Sequence, residues 1–369
     1  MKSLFLLLTV LFSFGLFGQE KLVLQNLFDA TLSEEVSCYR IPALTTAPNG
    51  DLLAAIDERV ASCSDLGTNP NINIVLRRST DHGKTWSEIE KVADFPEGQS
   101  ASDPSFIVDM QTKNILLFYN YMNVNEEKGV YYFHVMKSND NGKSWSAPQD
   151  ITSQISEKDW SRDFKFITSG RGIQRRSGQL LHTLVNLEHG LHLFGSDDHG
   201  KTFFVRDKPL LPGDESKVVE RADGSLMVNS RVNSGGMRYA HFSGKNEATW
   251  HAEPQPELID PSCNASMIRY TEKADGFSKN RILFSNAKNN RERKNMTVRI
   301  SYDEGQSWGE GKTIYQGLAA YSTMTILENG NIGLLFEGDG YTKNYFTQFS
   351  LEWLTDGKDR LNKHSKKKY

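Results

Sequence analysis

Cysteine is scarce in this chain of 369 residues: Cys38, Cys63 and Cys263 allow at most one bridge and leave one residue over. No metal-ligand spacing occurs among them, so they carry no chemistry, and small apolar packing is their expected role. Charge of one sign is also missing. A net charge of −3 excludes the basic face of a nucleic-acid binder, and the single one-signed cluster, Lys363–Tyr369 ("KHSKKKY"), reads as a solvated end. Long apolar runs are absent after the first residues. The run from Leu4 to Phe17, behind Lys2, is too short for a comfortable membrane span and ends in small residues. Residues 1–18 are therefore expected to be a cleaved export signal, with residues 19–369 secreted or periplasmic as one domain. Sustained helical periodicity is the last absence, which turns attention to strands.

What is present repeats. "STDHGKTW" (Ser79–Trp86), "SNDNGKSW" (Ser138–Trp145), "SDDHGKTF" (Ser196–Phe203) and "SYDEGQSW" (Ser301–Trp308) share the pattern Ser-x-Asp-x-Gly-x-Ser/Thr-aromatic. Their aspartates stand at 81, 140, 198 and 303, spaced 59, 58 and 105 residues, so one copy between the third and fourth has lost its motif. Aspartate closes a tight turn by accepting backbone N–H bonds, glycine takes a positive φ, and the aromatic tucks back beneath. The motif serves folding. Segments such as "NINIVLRRS", "NILLFYNYM" and "NIGLLFEG" are short, β-rich and bounded by turn formers. Units of about 58 residues built from short strands predict an all-β fold, a six-bladed β-propeller.

Propellers gather function at one mouth of the central channel, so functional residues should lie far apart in the chain. "YRIP" near the start, followed by these turns at blade spacing, resembles the sialidase (neuraminidase) family of exo-glycosidases over essentially the whole mature chain. That resemblance implies an arginine triad for a substrate carboxylate: Arg40 of "YRIP", Arg231 of "VNSR", and Arg293 of "NNRERKNMTV", with Arg291 the neighbouring alternative. Guanidinium suits the task because it binds carboxylate through paired, charge-assisted hydrogen bonds.

A carboxylate nucleophile would have to approach the substrate's own carboxylate, so a neutral attacker is favoured; sialidases use tyrosine. Tyr321 in "GLAAYSTMT" matches that context, with Glu215 as the base for its proton and Glu220 as the rival. The resemblance further implies Asp65 as acid/base, with Asp57 and Glu58 as alternatives, and Arg59 and Asp103 as substrate contacts. It makes Glu337 the carboxylate that steadies Arg40. Gln174, in the glycine-rich "SGRGIQ", is expected to line the pocket, although Arg171 stands where a smaller residue would be expected; Trp160 either covers an acyl group or is a buried blade aromatic. The activity implied is retaining hydrolysis of terminal α-linked sialic acids from glycans, without metal or organic cofactor. Transfer to an acceptor, action on a related ulosonic acid (Kdn or Kdo), and a non-catalytic sialoside-binding propeller are the alternatives.

Overall fold

The computed structural model describes residues 22–362; the expected export signal and the lysine-rich end lie outside them. The described residues form six four-stranded antiparallel blades. Blade 1 comprises Cys38–Thr46, Leu52–Arg59, Ile72–Ser79 and Glu90–Ala93. Blades 2 to 4 start from the inner strands Gln99–Asp109, Lys165–Ile167 and Ser216–Glu220. The long strand Lys312–Ile326 serves twice: its first half is the outer strand of blade 5 and its second half the inner strand of blade 6. The ring closes when the N-terminal strand Gln25–Asp29 pairs with Lys343–Phe349 as the outer strand of blade 6. Among the described residues no helix is long and apolar enough to cross a membrane.

Packing explains why the strands lack alternation. Each blade is covered on both faces by its neighbours, so a strand such as Leu52–Arg59 is buried throughout. One apolar cluster fills each gap between blades. Phe118, Phe194 and Phe203 meet edge to face between blades 2 and 3, and Leu44, Leu335 and Phe346 sit between blades 1 and 6.

The repeated turns act as plugs for these gaps. In the first, Asp81 Oδ1 accepts from the backbone N–H of Lys84 and Thr85 at 3.0 and 2.9 Å, and Ser79 Oγ accepts from Gly83 N at 2.8 Å. The chain then swings Trp86 against Phe346 of the preceding blade, ring centroids 5.0 Å apart. Two successive positive-φ residues make this turn, His82 (61°) and Gly83 (81°), where the sequence pattern marked only glycine. The lost copy is "SGKNEATW", Ser243–Trp250, 58 residues before Ser301. It keeps serine, threonine and tryptophan, replaces aspartate by Lys245 and glycine by Glu247, and still packs Trp250 into the gap between blades 3 and 4.

Register places the turns and the site at opposite mouths. Cys38 pairs with Arg59 and Arg59 with Ile72 at one end, whereas Thr46 pairs with Leu52 and Leu52 with Ser79 at the other. Arg40 and Arg59 thus share the near mouth, and the repeated turns lie at the far mouth.

Candidate active site

Three inner strands slip register where they reach the near mouth: between Arg40 and Ala43, between Ser102 and Ser105, and between Ala319 and Ser322. Such bulges re-aim side chains, here Arg40, Asp103 and Tyr321. Two of them hold non-glycine residues at positive φ, Ile41 at 64° and Asp103 at 62°, each just before a proline. Conformations of this kind cost on the order of 1–3 kcal/mol each and need support.

Two buried carboxylates supply it. Glu337, fully buried, accepts from Ile41 N at 2.9 Å and Tyr321 N at 3.1 Å, and from Arg40 Nε at 3.1 Å. Asp57, also fully buried, accepts from Asp103 N at 2.9 Å, Ser102 Oγ at 2.6 Å, and Arg59 Nε and Nη2 at 3.2 and 3.0 Å. Each carboxylate therefore pins a bulge and orients an arginine together. Burial pushes Asp57 up to about 6 against the pull of Arg59 and Ser102. Burial, then the neighbouring Asp57, raises Asp103 well above the usual range; its Oδ2 accepts from Asn120 Nδ2 at 2.9 Å.

A cavity of about 300 Å³ opens above these groups, lined on one side by Arg40, Arg231, Arg293, Tyr321, Glu215 and Asp65. The Arg231 guanidinium bonds Glu215 and approaches the Tyr321 hydroxyl at 3.4 Å, so one nitrogen lies between phenol and carboxylate. Arg293 donates to Tyr341 Oη at 3.3 Å and to the Ser262 carbonyl at 3.0 Å; its bonded partners are neutral. Both Arg40 and Arg293 lie against the Tyr321 ring, 5.6 and 5.5 Å from its centroid. Burial, then the charge of Glu215, holds the Tyr321 hydroxyl well above its ordinary value, so the phenol is neutral at rest.

Asp65 stands at the rim with its side chain 77% exposed, bonded to Arg59 Nη1 at 2.7 Å and 3.8 Å from Arg40 Nη1. Burial works upward on its carboxyl, but Arg59, by charge and hydrogen bond, together with Arg40 and Arg293, holds it below the usual range.

Several expectations need correction. Gln174 does not reach this cavity: its amide donates to Asp109 Oδ1 at 2.5 Å and accepts from Met110 N at 2.8 Å, at the far mouth. The physical reason is the "SGRG" kink. Gly170–Arg171 leaves blade 3 to pair in parallel with Ser105–Phe106 of blade 2, and Ile173–Gln174 then rejoins blade 3 beyond it. Gly172 permits this crossing, since a Cβ there would lie 2.5 Å from the Leu181 carbonyl. Arg171 goes to the far mouth with it. Trp160 follows the second of its two readings, a buried blade aromatic packed on His189 and His192. Cys38 and Cys63 form a disulfide rather than separate packing contacts, while Cys263 is free and buried against Ile41, Ala320 and Tyr321.

The alternatives also separate. Glu220 binds Arg175 and Arg176 at the far mouth, Glu58 takes the Asn73 amide, and Arg291 is exposed outside this cavity. Sequence reasoning missed Tyr341, whose ring lies 4.3 Å from the Arg40 guanidinium carbon and whose hydroxyl meets Arg293. It missed Asp214 and Asn233, joined at 2.6 Å beside Arg231, and the apolar wall of Leu66, Tyr131, Phe164, Phe166 and Leu187. None of these sits in a motif; the proximity of Asp214 to Glu215 was the one available signal.

Comparison with known proteins bears on the family and the fold. The family model for a BNR repeat-like domain matches residues 50–334. The chain belongs to the sialidase-type BNR-repeat family. A sialidase of Micromonospora viridifaciens is 35% identical over 346 residues, covering 86% of this chain and 52% of its own length. One from Bacteroides fragilis is 29% identical over 82% of this chain and 60% of its own length. This family member thus spans about half to three fifths of those two relatives. Among solved structures, the Hadza microbial sialidase Hz136 superposes with a TM-score of 0.81 at 26% identity, covering 90% of this chain and 69% of that one.

Proposed function

We propose that the protein is a retaining exo-α-sialidase acting on terminal α-linked sialic acids of glycans. One observation carries the reading: arginines from blades 1, 4 and 5 converge beside a buried, neutral tyrosine, with a carboxyl group at the cavity rim. The names of the sialidase relatives support the same substrate class.

In this reading Arg40, Arg231 and Arg293 hold the substrate carboxylate, and the neutral phenol approaches without opposing its charge. Tyr321 Oη bonds to the anomeric carbon as the glycosidic C–O bond breaks. The phenolic proton passes to Glu215, and Asp65 gives its proton to the departing oxygen. Water then attacks the anomeric carbon, losing a proton to Asp65. The tyrosine leaves and recovers its proton from Glu215, and the sugar keeps its configuration. Binding of the substrate carboxylate offsets Arg40 and Arg293, two of the charges that hold Asp65 ionised, and so readies it as an acid.

Hydrolysis of a fluorogenic sialoside, with the first-formed anomer identified by NMR, tests this. Release of the α-anomer that disappears in Tyr321→Phe is expected. A folded wild type with no turnover, or initial release of the β-anomer, would overturn it. Running the same reaction with lactose present separates hydrolysis from transfer.

A further inference from the structure

Cys63 lies two residues before Asp65, and Cys38 lies two residues before Arg40. The Cys38–Cys63 disulfide, with Cα atoms 5.6 Å apart, and the Arg40–Asp65 approach at 3.8 Å are therefore adjacent rungs between the same two segments, one covalent and one ionic. Arg59 ties the rungs together. Its Nη1 donates to the Cys63 carbonyl at 2.9 Å and to Asp65 Oδ1 at 2.7 Å, and Arg59 pairs with Cys38 across the sheet. The loop has other anchors. Asn69 holds the carbonyls of Ser62 and Ser64, and Leu66 is buried with Met122 and Tyr131. These fix the shape of the loop and its flank on blade 2. The disulfide alone bonds it covalently to the strand that carries the carboxylate-binding Arg40.

We propose that the Cys38–Cys63 disulfide is a positioning element for general acid catalysis, holding the Asp65 loop in register with Arg40 so that the acid meets the glycosidic oxygen of a substrate whose carboxylate is already clamped. The inference rests on the sialidase reading. Asp65 is mostly exposed and has no packing of its own, so its place depends on the backbone at Cys63 and on Arg59. Cys263, the remaining cysteine, is buried and free, so a reductant acting on the native protein has one bond to break.

General acid assistance matters most when the leaving group is a poor one. A sugar hydroxyl must be protonated as it departs, whereas a nitrophenolate leaves unaided. The test is kcat and KM for 3′-sialyllactose and for a nitrophenyl sialoside, measured on the wild type, on the wild type in dithiothreitol, and on the double variant Cys38→Ala/Cys63→Ser. Dithiothreitol converts the bond to two thiols and is itself oxidised to its cyclic disulfide. Loss of acid positioning should lower kcat/KM on sialyllactose, which reports the first step alone, by about tenfold or more, within the range that acid catalysis supplies. kcat/KM for the nitrophenyl substrate, whose first step needs no acid, should change by less than about threefold, and reoxidation should restore the wild-type ratio.

Equal losses of kcat/KM on both substrates would mean a general structural role and would overturn the proposal; so would no loss on either. Measuring reduced wild type beside the double variant keeps the test valid should the variant fold poorly. A wild type inactive on both substrates overturns the sialidase reading instead, and this inference with it.

Discussion

The two mouths of the channel both collect arginines, and the difference lies in what surrounds them. At the far mouth Arg175 binds Glu220 and Glu247, Arg176 binds Glu272 and Asp275, and Arg269 binds Glu304 through two nitrogens. Their charges are spent inside the fold. At the near mouth Arg40 and Arg231 each keep part of the guanidinium open to the cavity, and Arg293 bonds only neutral oxygens. The backbone differs in the same sense. The repeated turns at the far mouth satisfy their own hydrogen bonds, whereas the near-mouth bulges at Ile41 and Asp103 are strained and held by two buried carboxylates. Arginine content alone therefore does not locate the site; guanidinium left partly open to a cavity with a supported bulge beneath it does.

The largest effect expected from breaking this contrast is at Tyr321. Tyr321→Phe should lower kcat/KM by at least about 10³-fold, since it removes the proposed nucleophile. The fold should be little affected, because the hydroxyl has one long contact, 3.4 Å from Arg231. Circular dichroism with kinetics checks both halves.

Next come the arginines, which should divide by partner. Arg293→Ala should lower kcat/KM by about 10²-fold through loss of charge-assisted bonds to substrate, with stability nearly unchanged. Arg40→Ala should reduce binding and also destabilise by roughly 3–5 kcal/mol, because it strands the buried Glu337. Binding loss without destabilisation at Arg40, measured by denaturant titration, would break the claim that Glu337 depends on its partner.

The third effect is in pH. In the proposed first step Asp65 must be protonated, and three arginines lower its pKa in the free protein, so kcat/KM should decline with rising pH along an early basic limb. The bound carboxylate screens Arg40 and Arg293 and raises the pKa, so the basic limb of kcat should lie at higher pH. Coincident limbs would show that the clamp and the acid are uncoupled.

At the far mouth the effects should be on stability or absent. Ser301→Ala leaves the buried Gly305 N–H without its acceptor and should cost about 1–3 kcal/mol with kcat/KM unchanged. Arg171 tests the contrast from the other side. It is a far-mouth arginine bonded only to the Met324 carbonyl, and burial pushes it down to about 10. Arg171→Met and Gln174→Ala should both leave kcat/KM within about twofold, the range of changes remote from chemistry. A larger loss would break the separation of the two mouths.

The blades were legible because their signal is local. Aspartate, glycine and hydroxyl within eight residues form one turn, and Ser301 needs nothing distant to accept from Gly305. Even the degraded copy at Ser243–Trp250 kept its period and its tryptophan. Arg40, Arg231, Arg293 and Tyr321 were legible for another reason: each sits in a short context resembling one family, so similarity carried them where physics of the chain alone would not. Gln174 shows where that method stops. Its neighbours look right, but Gly170 and Gly172 let the strand cross to blade 2 and carry Gln174 to the wrong mouth.

Sequence by itself determined the period, the strands and the turn chemistry, because these depend on neighbours a few residues apart. Only the tertiary structure decided which guanidiniums stay open to a cavity, that Glu337 and Asp57 brace the bulges of other strands, that Tyr341 completes the setting of Arg40 and Arg293, and that Cys38 meets Cys63 beside the Asp65 loop. Those relations join residues up to 297 positions apart. Ring closure sets them, and no local pattern encodes a distance across the ring.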